Sequence, residues 1–420
     1  MFSMNAFLLR RVAVGVAFFA LLFQKNSHAQ STNTRPGLVA AKPLFRDPLH
    51  DGPTDPTVIW NRAEQKWFMF YTSRRANMTN SANGVEWVHG CQIGIAESTN
   101  AGAAWSYRGT ANIAVGDSNA TYWAPEIVEA NGGYHMMLTL VPGIFSDWNH
   151  PRSLLHLTSS NLLDWKYVST LALASDRLID PCLARLPDGH WRLWYNNERD
   201  KKSIYYADSA DLFAWTDKGK CPGTNERGGE GPKVFRWNNY WWMIKDIWRG
   251  LRVYRSDDAE HWQMQTNDIL ATSGHGTDDA DIGRHCDVVV SGERAFLFYF
   301  THPAHDSKTP ASRRSSIQVV ELEFKDGVIT CARDEPTHIN LQPPALPLSE
   351  ARYKIGVSDL MILKRQKLGA FPLARTLNAD GVEVDMGGLG ERETFDNALT
   401  NAATREQFLA KARELGLAIP

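Results

Sequence analysis

KWFMFYT, residues 66–72, is a short aromatic-rich stretch whose pattern returns as GYHMMLT (133–139), HWRLWYN (190–196), YWWMIKD (240–246) and RAFLFYF (294–300). Aromatic residues in runs this short favour strands over helices. The central residues, Met69, Met136, Leu193, Met243 and Leu297, follow one another at intervals of about 50 to 67 residues, a spacing that marks a repeat architecture. A second pattern follows four of the copies: IAESTNAGAAW, LTSSNLLDW, YADSADLFAW and YRSDDAEHW, ending at Trp105, Trp165, Trp215 and Trp262. Each reads as a strand, a Ser/Asn/Asp turn and a tryptophan, which is a hairpin signal. Short strands in five in-phase units predict an all-β fold, a five-bladed β-propeller spanning roughly residues 45–345. A linear solenoid has shorter and more regular periods, and a β-sandwich does not account for in-phase repetition.

Composition agrees with a folded, β-rich chain. Of 420 residues, 43% are hydrophobic and 22% charged, with 15 Trp, 12 Tyr and 18 Phe. Indole and phenol rings pack in sheets and also stack on sugar faces. The formal net charge of −2 gives no electrostatic basis for binding nucleic acid. Residues 1–29 read as a secretory signal: Arg10 and Arg11, the apolar run VAVGVAFFALLF, then small residues at Ser27 and Ala29. That run is shorter than the roughly 20 residues a membrane span needs. The mature chain is therefore expected to begin near Gln30, to be exported (periplasmic or secreted), and to have no membrane span. Cysteines 91, 182, 221, 286 and 331 lack metal-type spacing and are expected to be packing residues, the odd count leaving at least one thiol unpaired.

The candidate chemistry lies just upstream of the repeated strands. Asp55, Trp123, Asp180, Glu230 and His285 stand 12 to 14 residues before the five strand centres, and a proline follows closely in the first four. The first strand of every propeller blade lines the axis, so Asp55, Asp180 and Glu230 are expected to converge from three blades. A lone Asp before Pro is an ordinary turn residue. Three acids in register form a like-charged cluster in which at least one pKa must rise, and such clusters persist where chemistry uses them.

The segments DPTVIW (55–60), TYWAPEIVE (121–129), LIDPCLARLPDG (178–189), GEGPKVF (229–235) and GRHCDVVV (283–290) together resemble the five-bladed propeller glycosidases of glycoside hydrolase family 43 and its relatives. The resemblance covers all five blades. It implies Asp55 as general base, Asp180 as the residue that tunes and positions the acid, and Glu230 as general acid. It also places His285 near the channel, where the family often links a histidine to bound calcium or its waters. Inverting hydrolysis needs a protonated carboxyl at the leaving oxygen and an ionised one across the sugar, with a water between. Enclosure and the charge of Asp180 are expected to keep Glu230 protonated. Two departures stand out. Glu126 follows Trp-Ala-Pro where family members commonly have Asp, and Ile179 precedes Asp180 where the related retaining fructan-cleaving propellers characteristically have Arg.

Loops after the strands supply candidate substrate contacts Arg74, His89, Asn197, Trp248 and His302, with Arg75, Trp148, His150 and Arg199 nearby, and the axial segment of the second blade adds Trp123 and Glu126. His285 is the candidate metal residue, for Ca2+. The acidic run with Asp278, Asp279 and Asp281 reads as a solvated loop, with calcium binding as its alternative. No organic cofactor is expected. Residues 346–420 form an extension: a proline-rich linker, a loop-rich stretch, and a helix beginning at Thr404 with Gln407 closing a capping box. That helix needs a docking surface, on its own propeller or on a neighbour in a homo-oligomer. The expected function is an exported, inverting glycoside hydrolase that removes terminal sugars, arabinofuranosyl or xylosyl, from polysaccharide-derived oligosaccharides. The alternatives are the same fold acting on a galactose or anhydrogalactose type of sugar, and a non-catalytic carbohydrate-binding propeller.

Overall fold

The repeated segment is in every case the second strand of an antiparallel sheet whose strands follow in chain order from the axis outward. The structure, a computed structural model, describes residues 37–79, 84–304 and 310–344, and beyond them only 356–358, 381–383, 406–407 and 410–411. The described residues form five blades, with innermost strands Pro53–Asn61, Thr121–Ala130, Leu178–Arg185, Glu230–Trp237 and Arg284–Ser291. In the second blade a further short strand, Asn112–Ile113, runs parallel to the outer strand Asp164–Thr170. The expected all-β five-bladed propeller is the observed fold.

Core packing lies in the five joints between blades. Trp60, Met69 and Tyr71 of blade one meet Phe296, Phe298 and Ile317 of blade five, and equivalent clusters fill the other four joints. Trp105, Trp165, Trp215 and Trp262 each pack into the joint with the preceding blade. The polar residues before them build the turns. The hydroxyls of Ser159, Ser209 and Ser256 accept from the backbone three residues on, at Leu162, Leu212 and Ala259, all with positive φ. Asn161, Asp211 and Asp258 accept from the amides two and three residues on. These are Asx and Ser turns, and they explain why the motif is Ser-x-Asn/Asp. The ring closes without a covalent link: Phe45 and Ile317 exchange backbone hydrogen bonds, and Leu38–Val39 pairs with His338–Ile339.

All five cysteines are free, four of them buried, as expected of packing residues. No helix among the described residues is long and apolar enough to cross a membrane. The expected leader, most of the proline-rich linker and Thr404 lie outside the described residues. Residues 406, 407, 410 and 411 are helical as expected. The stretch read as loop-rich contains a strand, Gly381–Glu383, paired in parallel with Gly356–Ser358.

Candidate active site

Every innermost strand carries a register break near its start, between Thr54 and Thr57, Trp123 and Glu126, Ile179 and Cys182, Glu230 and Lys233, and Arg284 and Cys286. In the first four the break contains a left-handed residue followed by proline: Asp55, Ala124, Asp180 and Gly231, with φ of 52°, 45°, 56° and 57°. This is a β-bulge repeated around the axis, a device that re-aims a side chain. It corrects the expected alignment. Asp55 and Asp180 are true equivalents, but their counterpart in blade four is Gly231, and Glu230 stands one residue earlier.

A bulge strands backbone groups that the ladder would have paired. The last residue of the repeated strand restores them across the joint. Thr72 Oγ1 accepts from Ala124 N at 2.8 Å, Thr139 Oγ1 from Asp180 N at 3.2 Å, and Asp246 Oδ2 from His285 N at 3.1 Å. Asn196 donates to the carbonyl of Gly229, and Gly231 N donates to Asp180 Oδ2 at 2.9 Å. The polar ends of KWFMFYT, GYHMMLT, HWRLWYN and YWWMIKD are thus supports for the next blade's bulge.

The bulges open into a cavity of about 450 Å³ lined by Asp55, Asp180, Glu230 and His285, among others. All three expected acids are there. Asp55 is buried and accepts from Thr54 Oγ1 at 3.0 Å, with Arg74 Nη2 at 3.5 Å and His285 Nδ1 at 3.4 Å. Burial favours its neutral form, yet Arg74, His285 and Thr72 together hold it well below the usual carboxylate range. Asp180 moves the other way, to about 7, because burial and the charges of Glu230 and Asp55 outweigh His285. His285 rises to about 9: burial opposes the charged ring, but Asp180, Asp55 and Glu230 surround it.

Glu230 departs from expectation. Burial would raise its pKa, but Lys202 Nζ sits 2.9 Å from Oε2, and with Trp248 and His285 it lowers the value. In the free site Asp180 is thus pushed up and Glu230 down, whereas enclosure was expected to push Glu230 up, and the two carboxyls titrate as a pair. Lys202 also reaches Glu198 at 3.1 Å and lies over the Trp248 ring at 5.1 Å. Both Lys202 and Trp248 have left-handed backbones, φ 56° and 58°, conformations disfavoured for residues with a Cβ.

Of the expected substrate contacts, Arg74, Trp123 and Trp248 line the cavity. Four do not. Glu126 is buried beneath it, 3.0 Å from Lys233. His89 lies behind the wall, packed against Trp123, Phe145 and Trp148, with Nδ1 on the Val85 carbonyl. Asn197 accepts from Arg199 N and Ser175 Oγ, which fixes the turn that presents Glu198. His302 donates to the Arg314 carbonyl, and burial with the nearby Arg284 and Arg74 drops its pKa to about 3. Sequence reasoning missed Arg152, Arg177, Glu198 and Lys202, which form one wall. Arg152 Nε is 2.7 Å and Arg177 Nε 3.9 Å from Glu198 Oε2. The i,i+4 pair Glu198–Lys202, in the loop after HWRLWYN, was the available signal.

The residues expected to hold calcium have partners within the protein. The ring of His285 is turned to Asp55 and packed against Gly231. Asp278, Asp279 and Asp281 are engaged by Arg46, Arg333 and Arg284. Among the described residues no group of three or more His, Cys, Asp or Glu is arranged to hold a metal.

No family model and no curated protein matches the sequence. Solved structures match it through the fold. A GH43 β-1,3-galactosidase solved with galactodeoxynojirimycin is 16% identical at a TM-score of 0.52, over 71% of this chain and 100% of its own. A GH43_1 enzyme from Xanthomonas citri complexed with xylotriose is 13% identical at 0.51, over 73% and 97%. A GH32 β-fructofuranosidase from Bombyx mori is 14% identical at 0.51, over 67% and 63%. The likeness to family-43 propellers thus holds at the level of fold, and the same fold serves a second hydrolase family.

Proposed function

We propose that the protein is a glycoside hydrolase that releases a terminal sugar from an oligosaccharide with inversion of configuration. The observation that carries this reading is the division of labour among three carboxyls lining one cavity, Asp55 and Asp180 buried and Glu230 partly exposed. Asp55 is held ionised, while burial and the charge of Glu230 raise Asp180 to about 7, so that the coupled Asp180–Glu230 pair can hold a proton near neutrality.

Asp55 takes a proton from the water that attacks the anomeric carbon, and Glu230 gives its proton to the departing oxygen. Arg74 and His285 keep Asp55 anionic for this role. Asp180, tied to the residue after Glu230 through the Gly231 amide, positions the acid and supplies its proton. Lys202 retains Glu198 as a partner when Glu230 becomes protonated. Trp123, Trp148 and Trp248 line the cavity and supply aromatic surface to a sugar. The substrate class we favour is arabinofuranosyl or xylosyl, with a galactose-type sugar as the second choice. In this reading the N-terminal segment directs export.

The test is hydrolysis of a panel of aryl glycosides and plant oligosaccharides, with NMR of the first-formed anomer. Release of a single sugar of inverted configuration supports the proposal. A retained anomer overturns the mechanism, and sugar binding without cleavage by the wild type favours the binding-propeller alternative.

A further inference from the structure

One residue after each bulge proline, or in blade five after Cys286, the innermost strands carry Thr57, Glu126, Cys182, Lys233 and Asp287, each paired with the equivalent position of the second strand. These five residues, four of them buried and Lys233 partly so, form a ring one step along the innermost strands from the bulges. Lys233 Nζ lies 2.7 Å from Asp287 Oδ1 and 3.0 Å from both Glu126 oxygens. Thr57 Oγ1 donates to Glu126 Oε2 at 3.3 Å, and Leu183 N to Glu126 Oε1 at 3.1 Å. Val58 N donates to Asp287 Oδ2 at 2.6 Å, and Val234 N to Cys182 Sγ at 3.1 Å. Every joint is crossed: one to two by Thr57–Glu126, two to three by Leu183–Glu126, three to four by Val234–Cys182, four to five by Lys233–Asp287, and five to one by Val58–Asp287.

We propose that the Lys233 ammonium is the built-in cation of the propeller axis, so that the five blades close and the cavity floor forms without a divalent metal. Two buried carboxylates facing one another on an axis need a counter-charge. A calcium ion would need six to eight oxygen ligands. Here each carboxylate oxygen already meets a backbone amide, a hydroxyl or the ammonium, and Lys233 delivers its charge from a side chain anchored in the sheet. The ammonium donates to carboxylates of blades two and five from blade four, a bridge no single hydrogen bond between neighbours provides.

The experiment compares thermal unfolding of the wild-type protein after EDTA treatment and after adding Ca2+ or Mg2+, alongside its metal content by elemental analysis. The expected midpoint is the same within about 1 °C in all conditions, with metal far below one equivalent. Lys233→Ala is expected to unfold about 10 °C lower, since it leaves two uncompensated carboxylates, and to regain part of that loss with added Ca2+. A wild-type midpoint that falls in EDTA and recovers with Ca2+, or one bound equivalent of metal, overturns the proposal. So does a Lys233→Ala variant that folds and responds to Ca2+ no more than the wild type. The wild-type measurement decides the matter alone if the variant fails to fold, and neither readout depends on catalytic activity.

Discussion

Lys202 Nζ stands 2.9 Å from Glu230 Oε2 and 3.1 Å from Glu198 Oε1, one ammonium shared between a candidate acid and a wall residue. This pairing favours the ionised form of Glu230, while Asp180 is pushed up to about 7. Removing the cation should reverse that preference. In Lys202→Met the alkaline limb of the kcat/KM profile is expected to move to higher pH, by about one unit, because a charge partner within 4–6 Å shifts a carboxylate by 1–3 units. The pH profile of wild type and variant on one aryl glycoside measures it. An unmoved limb would mean Lys202 acts only on substrate.

For the wild type the same limb is expected near pH 7, where Asp180 loses its proton. The two carboxyls titrate as a pair, so the observed value belongs to both. The acidic limb should lie well below pH 4, since Asp55 is held ionised by Arg74, His285 and Thr72 despite its burial. Rates across pH 3–9 check both limbs.

Isosteric removal of each carboxyl separates the roles. Asp55→Asn and Glu230→Gln are each expected to lose about 10²–10⁴-fold in kcat, the range for a lost general acid or base. With a leaving group that needs no protonation, such as 2,4-dinitrophenol, Glu230→Gln should recover much of its rate and Asp55→Asn should not. Equal recovery by both would refute the assignment.

Gly231 is the one bulge residue without a side chain, and its neighbourhood explains why. A Cβ there would lie 2.5 Å from His285 Cγ, on a backbone with φ of +57°. Gly231→Ala is expected to lower stability by about 1–3 kcal/mol through strain and displacement of the imidazole. Denaturant unfolding with a parallel rate measurement tests this, and an unchanged midpoint would show that His285 yields without cost.

Stability should also depend on pH through this cluster. The pKa of His285 is raised to about 9 in the folded state, above its ordinary 6.5, so its contribution is full below pH 6.5 and lost as pH rises through 9. Asp180 is likewise raised, to about 7, and its contribution disappears between about pH 4 and 7. Both act in one direction, so the unfolding midpoint should fall from pH 5 to 9. His285→Gln should flatten the upper part of that fall.

The sequence by itself determined the architecture, since a strand pattern in five phases and a Ser-x-Asn/Asp turn leading, after three or four intervening residues, to Trp can be satisfied only by equivalent blades. It also determined which acids meet, because Asp55, Asp180 and Glu230 precede those strands at nearly constant distance. The tertiary structure decided what those residues do to each other. A left-handed bulge shifts Glu230 by one place relative to Asp180, and no periodicity in the sequence reports φ. Glu126 follows a motif that reads as site-facing, yet it turns into the axial ring because Lys233, 107 residues away, is its partner. Lys202 and Arg152 come from different blades and become a wall only through Glu198. Long-range ion pairs set the protonation of the site, and their partners are brought together by blade packing rather than by spacing along the chain.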